Sequence, residues 1–125
     1  MTNQEAWKIY GRYVQGWSAI SDEERRLIAN EVIAEDARYS TPQHASGGRE
    51  TMIDDMVAFQ QKFPGGRFDV GDVSAHRDVA LLTWVLVLAD GQILARGHDQ
   101  IRVSPAGQIT ELITFAPSVA EPELP

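Results

Sequence analysis

The 125-residue chain contains no cysteine, so disulfides, thiolate metal sites and a cysteine nucleophile are all excluded. Any chemistry must run on oxygen and nitrogen groups. Histidine is scarce as well: His44, His76 and His98 are the whole supply, and no two stand at the H-x-x-x-H spacing of a helical zinc site. No metal and no dinucleotide fingerprint is present, so the expectation is a protein without a cofactor. No apolar run approaches the length of a membrane span, and the N-terminus MTNQEAWKIY lacks the apolar stretch of a secretory signal. A cytoplasmic protein with no membrane partner is expected. Positive charge is also short, with 11 basic residues against 18 acidic ones and a formal net charge of -7. The basic residues are scattered rather than massed, which argues against a nucleic-acid face and for a small neutral or apolar partner.

What is present reads as one domain over residues 1–116, followed by a Pro- and Glu-rich stretch, PSVAEPELP (117–125), expected to be mobile or to lie across a neighbour. Trp7, Tyr10, Tyr13 with Val14, and Trp17 recur every three or four residues, which predicts an amphipathic helix from Gln4 to Ile20. Ser21 with Glu24 three residues on has the form of a capping box opening a second helix, with Leu27, Ile28 and Val32 as its buried edge. A short strand around ARYST stops at Pro42, and QHASGG supplies turn residues. A third helix is predicted from Arg49 to Phe63, with Met52, Ile53, Met56, Phe59 and Phe63 inward and PGG ending it. Everything after Arg67 reads as strand. Gly71 marks a bulge in RFDVGDVSAH and leaves the facing beyond it open. VALLTWVLVLA is apolar on both faces, as a central strand covered on each side would be. Asp90-Gly91 and SPAG are hairpin turns. The whole predicts an α+β fold: three N-terminal helices packed in a strongly curved, mostly antiparallel sheet that leaves a conical cavity.

One residue breaks the pattern. In ILARGHDQIRV (93–103) the odd positions Ile93, Ala95, Gly97, Asp99, Ile101 and Val103 share a face if the run is extended, and a carboxylate stands among them. Inside a core such a group is either a functional acid aimed into the cavity, or a structural one satisfied by Tyr13, Trp17 or a backbone donor. Tyr13 and Trp17 read as core packing whose polar ends need partners, Asp99 being one candidate. Trp84, on the central strand, reads as pocket wall. His76 is either a second base near the cavity mouth or a solvated strand-end residue beside Arg77 and Asp78. His98 alternates outward with Arg96 and Arg102. Thr41 and His44 sit in or beside a loop that could cover the pocket, and Asp54, Asp55, Glu23, Glu24 and Glu31 read as solvated helix faces.

The aromatic first helix YGRYVQGW, then EDARYSTP, the third helix, FPGGRF, AHRDVALLTW and GHDQIRVSPAGQI follow one another in an order that resembles the SnoaL-like and ketosteroid-isomerase-like members of the nuclear transport factor 2-like superfamily. The resemblance covers nearly the whole chain. It implies a cone-shaped, cystatin-like α+β barrel and a homodimer formed through the sheet. It also implies a pocket of the kind that hosts isomerases, cyclases, dehydratases, epoxide hydrolases and non-catalytic binding modules. Within it Asp99 resembles the sheet aspartate that ketosteroid isomerases use in protonated form as a donor to a developing oxyanion, and that SnoaL-type cyclases use as the acid/base. Tyr13, in RYVQGW, resembles the oxyanion tyrosine. The chain departs from the isomerases at YSTPQ, where Thr41 precedes Pro42 in place of their proton-abstracting aspartate; a hydroxyl is no carboxylate base at neutral pH.

Two functions are therefore expected as alternatives. One is a cofactor-independent acid/base enzyme, of isomerase, cyclase or dehydratase type, acting on a small, largely apolar carbonyl compound. In it Asp99 and Tyr13 are catalytic, with Trp17, Tyr39, Thr41, Trp84 and His76 binding substrate. The other is a non-catalytic small-molecule-binding or accessory module of the same fold. An epoxide hydrolase ranks lower, because it normally uses an Asp-Arg-Asp cluster and only Asp99 reads as an inward carboxylate.

Overall fold

The computed structural model describes residues 1–119. Three helices, α1 (Asn3–Gln15), α2 (Asp22–Val32) and α3 (Arg49–Lys62), pack with five strands, β1 (Ile33–Ser40), β2 (Arg67–His76), β3 (Val79–Val87), β4 (Ile93–Val103) and β5 (Ile109–Phe115). The strands form one sheet in the order β1-β5-β4-β3-β2. Neighbours from β2 to β5 are antiparallel, and β1 lies parallel to β5 along the far edge. The sheet is strongly curved and not closed. Its inner face and the helices share one core, to which Tyr10, Ile28, Met52, Met56, Leu82, Ile101 and Leu112 contribute.

The helices are shorter and turned relative to expectation, for local reasons. α1 opens on a capping box between Thr2 and Glu5 and stops at Gln15, five residues early. There Gly16, Trp17 and Ser18 each donate their N–H to the carbonyl three residues back, which tightens the chain out of the α-helix. The buried stripe of α1 is Ala6, Tyr10, Tyr13 and Val14, and Trp7 falls outside it, 44% exposed. In α2 the Ser21 hydroxyl accepts the Glu24 N–H as expected, but the buried stripe is Arg25, Ile28, Ala29 and Val32. Leu27, one residue and about 100° from Ile28, is left 62% exposed.

The bulge expected at Gly71 is present: the β2–β3 register shifts between Val70 and Val73, where the Asp72 N–H donates to the Thr83 hydroxyl at 2.7 Å. β3 departs from expectation. Ala80, Leu82 and Trp84 are buried in the shared core, whereas on the other face Leu81 is 46% exposed and Thr83 and Val85 are half-buried, so within one chain that face of the strand is only partly covered. Both hairpin turns form as read, with Gly91 and Gly107 taking the positive φ that their positions require. Of the stretch expected to be a mobile tail, Ser118 is tied to β4: its N–H donates to the Arg96 carbonyl, and its hydroxyl lies 2.7 Å from His98 Nδ1. Residues 120–125 of that stretch lie outside the described residues. Among the described residues no helix is long and apolar enough to cross a membrane.

Candidate active site

A cavity of about 400 Å³ lies between the helices and the inner face of the sheet. Its walls are aromatic because four elements aim rings at one point. Trp17 is delivered by the tightened end of α1, Phe59 by α3, and Phe68 and Trp84 by β2 and β3. The rings pack mostly edge to face, Trp17 to Phe68 at 5.3 Å, Phe68 to Trp84 at 5.1 Å and Trp17 to Phe59 at 5.8 Å between centroids. Gly97, paired with Trp84 across β3 and β4, makes room for the indole; a Cβ there would collide with the Trp84 ring and stand 2.7 Å from the Phe115 carbonyl oxygen.

Asp99 belongs to this wall. The alternation of β4 holds, with Gly97, Asp99, Ile101 and Val103 buried and the residues between them half-buried. The Asp99 carboxyl, 5% exposed, receives the Tyr10 hydroxyl at 2.5 Å on Oδ2 and the Trp84 indole N–H at 3.3 Å on Oδ1. Burial lifts its pKa above the ordinary carboxylate value; the Tyr10, Thr114 and Trp84 side chains oppose that lift without cancelling it. The hydroxyls around it are held protonated. Burial first, and then the neighbouring Asp99, push the pKa of Tyr10 well up, and the same two causes act on Tyr13. A carboxyl that resists ionisation, beside phenols that keep their protons, can hold a proton or hand one to an oxygen.

The partners of Asp99 are thus Tyr10, one helical turn before Tyr13, and Trp84, and the expectation that Tyr13 or Trp17 satisfies it is corrected. Tyr13 still lines the cavity, buried, stacked at 5.5 Å on Tyr10 and edge-on to Trp17. Tyr39 and Thr41 line it too, Tyr39 with its ring buried and Thr41 at the rim. The Thr41 hydroxyl shapes the rim loop by accepting the N–H groups of Gln43 and His44, both at 3.1 Å. His76 does not reach the cavity: it ends β2 exposed, paired with Val79 across the tight turn, so the pocket placement expected for it is corrected. The shift at Gly71 is what left its facing unreadable from the alternation.

One residue of the cavity was read otherwise in the sequence, and His44 stands where the loop reading put it. Asp55 is no solvated helix acid: it lines the cavity, accepts the Tyr39 hydroxyl at 2.8 Å on Oδ2, and holds His44 Nε2 at 3.1 Å on Oδ1. His44, about a third exposed, stands at the mouth. The signal for Asp55 was its spacing, three after Met52 and four before Phe59, which places it at the edge of the apolar stripe of α3. Among the described residues no three His, Asp or Glu side chains gather as a metal site.

The family model of the SnoaL-like domain matches residues 12–112, and the chain belongs to that family. Among solved structures it is similar to a candidate isomerase of the SnoaL-like family from Agrobacterium tumefaciens, at 29% identity and a TM-score of 0.81, over 90% of this chain and 97% of that one. It is similar also to IdmH, a candidate polyketide cyclase from Streptomyces antibioticus, at 19% identity and a TM-score of 0.72, over 90% and 91% of the two chains. A de novo designed protein of the nuclear transport factor 2 fold matches at 14% identity and a TM-score of 0.67, over 90% and 85%. The designed relative makes the scaffold and the activity separable, so function has to be argued from the cavity. No curated protein matches.

Proposed function

We propose that the chain is a cofactor-independent acid/base enzyme, of isomerase, cyclase or dehydratase type, acting on a small, largely apolar carbonyl compound. The observation that carries this reading is Asp99, a carboxyl more than nine-tenths buried among the aromatic rings of the cavity wall, hydrogen-bonded to a tyrosine that keeps its proton. Aromatic walls select an apolar body by burying it, and a few convergent polar groups orient it. A carbonyl oxygen brought to Asp99 and Tyr13 meets donors where negative charge develops on enolisation, while Tyr10 holds the Asp99 carboxyl in place. The candidate isomerase and cyclase among the similar structures agree with that reaction class.

The alternative is a binding module of the same fold, and one observation favours it: both Asp99 oxygens already have protein partners, Tyr10 and Trp84. An epoxide hydrolase stays lower, since among the described residues those lining the cavity include no arginine to complete an Asp-Arg-Asp cluster.

The two main readings separate on 2-tetralone, an apolar ketone with enolisable C–H bonds, and 2-naphthol, which has the shape of its enol. Wild type should speed exchange of the ketone's α-protons in D2O, followed by proton NMR. Asp99→Asn should lose about 100-fold or more of that rate while its circular dichroism stays native. Wild type that binds 2-naphthol, read from tryptophan fluorescence, yet exchanges no faster than buffer would establish the binding module instead.

A further inference from the structure

The cavity holds a second polar cluster, at its mouth, to which the acid at its floor gives no task. His44 comes from the loop after β1 and Asp55 from α3, so two separate elements bring them together. The contact is directional. The Asp55 carboxylate can only accept, and it already takes the Tyr39 hydroxyl on Oδ2; a neutral His44 must therefore point a protonated Nε2 at Oδ1. Nδ1 is then the ring's free lone pair. Tyr39 keeps its proton because burial lifts its pKa, with Tyr13 and Asp55 adding to the lift, so it remains a donor that holds the carboxylate in place. The backbone of His44 is fixed as well: its N–H reaches both the Thr41 carbonyl, at 3.2 Å, and the Thr41 hydroxyl, at 3.1 Å. A histidine with its tautomer set by a carboxylate, and that carboxylate set by a third group, is how a general base is oriented and how its imidazolium form is stabilised.

Resting on the acid/base reading above, we infer that His44, positioned by Asp55 and Tyr39, is the base that takes a carbon-bound proton from the substrate while Asp99 serves the substrate's oxygen deeper in the same cavity. The step balances without an added reagent. The Cα–H bond breaks and its proton goes to His44 Nδ1; the electron pair forms the enol double bond. The carbonyl π pair moves onto oxygen, which takes the Asp99 proton. In a β,γ-unsaturated ketone the enol is a dienol. The His44 proton goes to the γ carbon on the Cβ=Cγ pair, and the enol pair moves to Cα=Cβ. Return of the enol proton to Asp99 completes an isomerisation. This arrangement specifies the substrate class further: an enolisable ketone that enters oxygen first, with its acidic C–H left at the mouth. It also supplies a base where the loop carries Thr41 rather than a carboxylate before Pro42.

A His44–Asp55 contact that merely fastens the loop to α3 would look the same at rest, so the test uses a readout that fastening does not move. In the 2-tetralone exchange assay His44→Ala should lose about 100-fold in rate, with 2-naphthol affinity within about threefold of wild type. Imidazole added to His44→Ala should restore exchange in proportion to its concentration, and sodium chloride at equal ionic strength should not. Asp55→Asn should lose about 10-fold, as loss of the orienting group does. His44→Ala exchanging at the wild-type rate, or losing exchange that imidazole leaves unrestored, would overturn the inference and leave the Asp99 reading standing if Asp99→Asn is inactive. Wild type exchanging no faster than buffer would overturn both.

Discussion

At Asp99 the burial that raises the carboxyl's pKa also fixes how stability must depend on pH. With the folded pKa above the unfolded value of about 3.9, the native state binds more protons than the unfolded chain between the two values. The contribution of Asp99 is therefore fully present below the unfolded pKa and is lost as pH rises through the folded one. Asp99→Asn has no such term, and the other carboxylates are common to both proteins and cancel in the difference. In urea unfolding across pH 3 to 8 the variant should gain stability relative to wild type from about pH 4 upward and level off above the folded pKa. The opposite slope would identify Asp99 as a well-paired structural anion held by Tyr10 and Trp84, and would move the binding module ahead.

Among the elements, the junction of α1 and α2 does most to shape the site, because it sets where Trp17 points. α1 ends two residues short of Trp17, the last ring of its aromatic stripe, and the carbonyls released there converge on one buried side chain. Arg25 donates to the carbonyls of Gly16 at 2.9 Å and Ser18 at 3.0 Å, with a longer reach to Ile20. Its ion pair with Asp22 adds little, since Asp22 is 90% exposed. Arg25→Met keeps the apolar stem and removes the donors, so it should cost about 2–3 kcal/mol in urea unfolding with an unchanged m value. Trp17 fluorescence should shift as well. A loss below about 0.5 kcal/mol would mean that water replaces the guanidinium without penalty.

The same junction marks where the sequence stops being legible. Periodicity located all three helices, the strands from Arg67 on and the inward facing of Asp99, because each depends on spacing along one element. Leu27, expected on the buried edge of α2, is exposed, and Arg25 is buried in the stripe because the carbonyls at the end of α1 demand its donors. Asp55 was hidden for the converse reason: its partners, Tyr39 and His44, arrive from another element, and no spacing within α3 encodes them. Tyr10 stood in the visible stripe, but choosing it over Tyr13 as the partner of Asp99 required the position of β4 across the core.

For the whole molecule, the sheet's two faces are unequal in a way that a second copy of the chain, as the family resemblance implies, would even out. The described helices and the shared core lie on the inner face. On the outer face Leu81 and Phe115, on β3 and β5, are about half exposed, and β3 carries apolar residues on that side as a doubly covered strand does. Exposed apolar surface at the centre of a sheet marks an association site. A two-fold interface through this face would cover it with its own equivalent and add polar contacts from the outward side chains of β4, such as Gln100 and Arg102. Light scattering should accordingly return twice the 13.9 kDa chain mass at micromolar concentration. Leu81→Lys should shift the mass to a single chain, because an unpaired charge would then be buried in the interface. Since Leu81 points away from the cavity, 2-naphthol affinity of the variant should stay within about threefold of wild type, and a wild type of 13.9 kDa would show the outer face to be free.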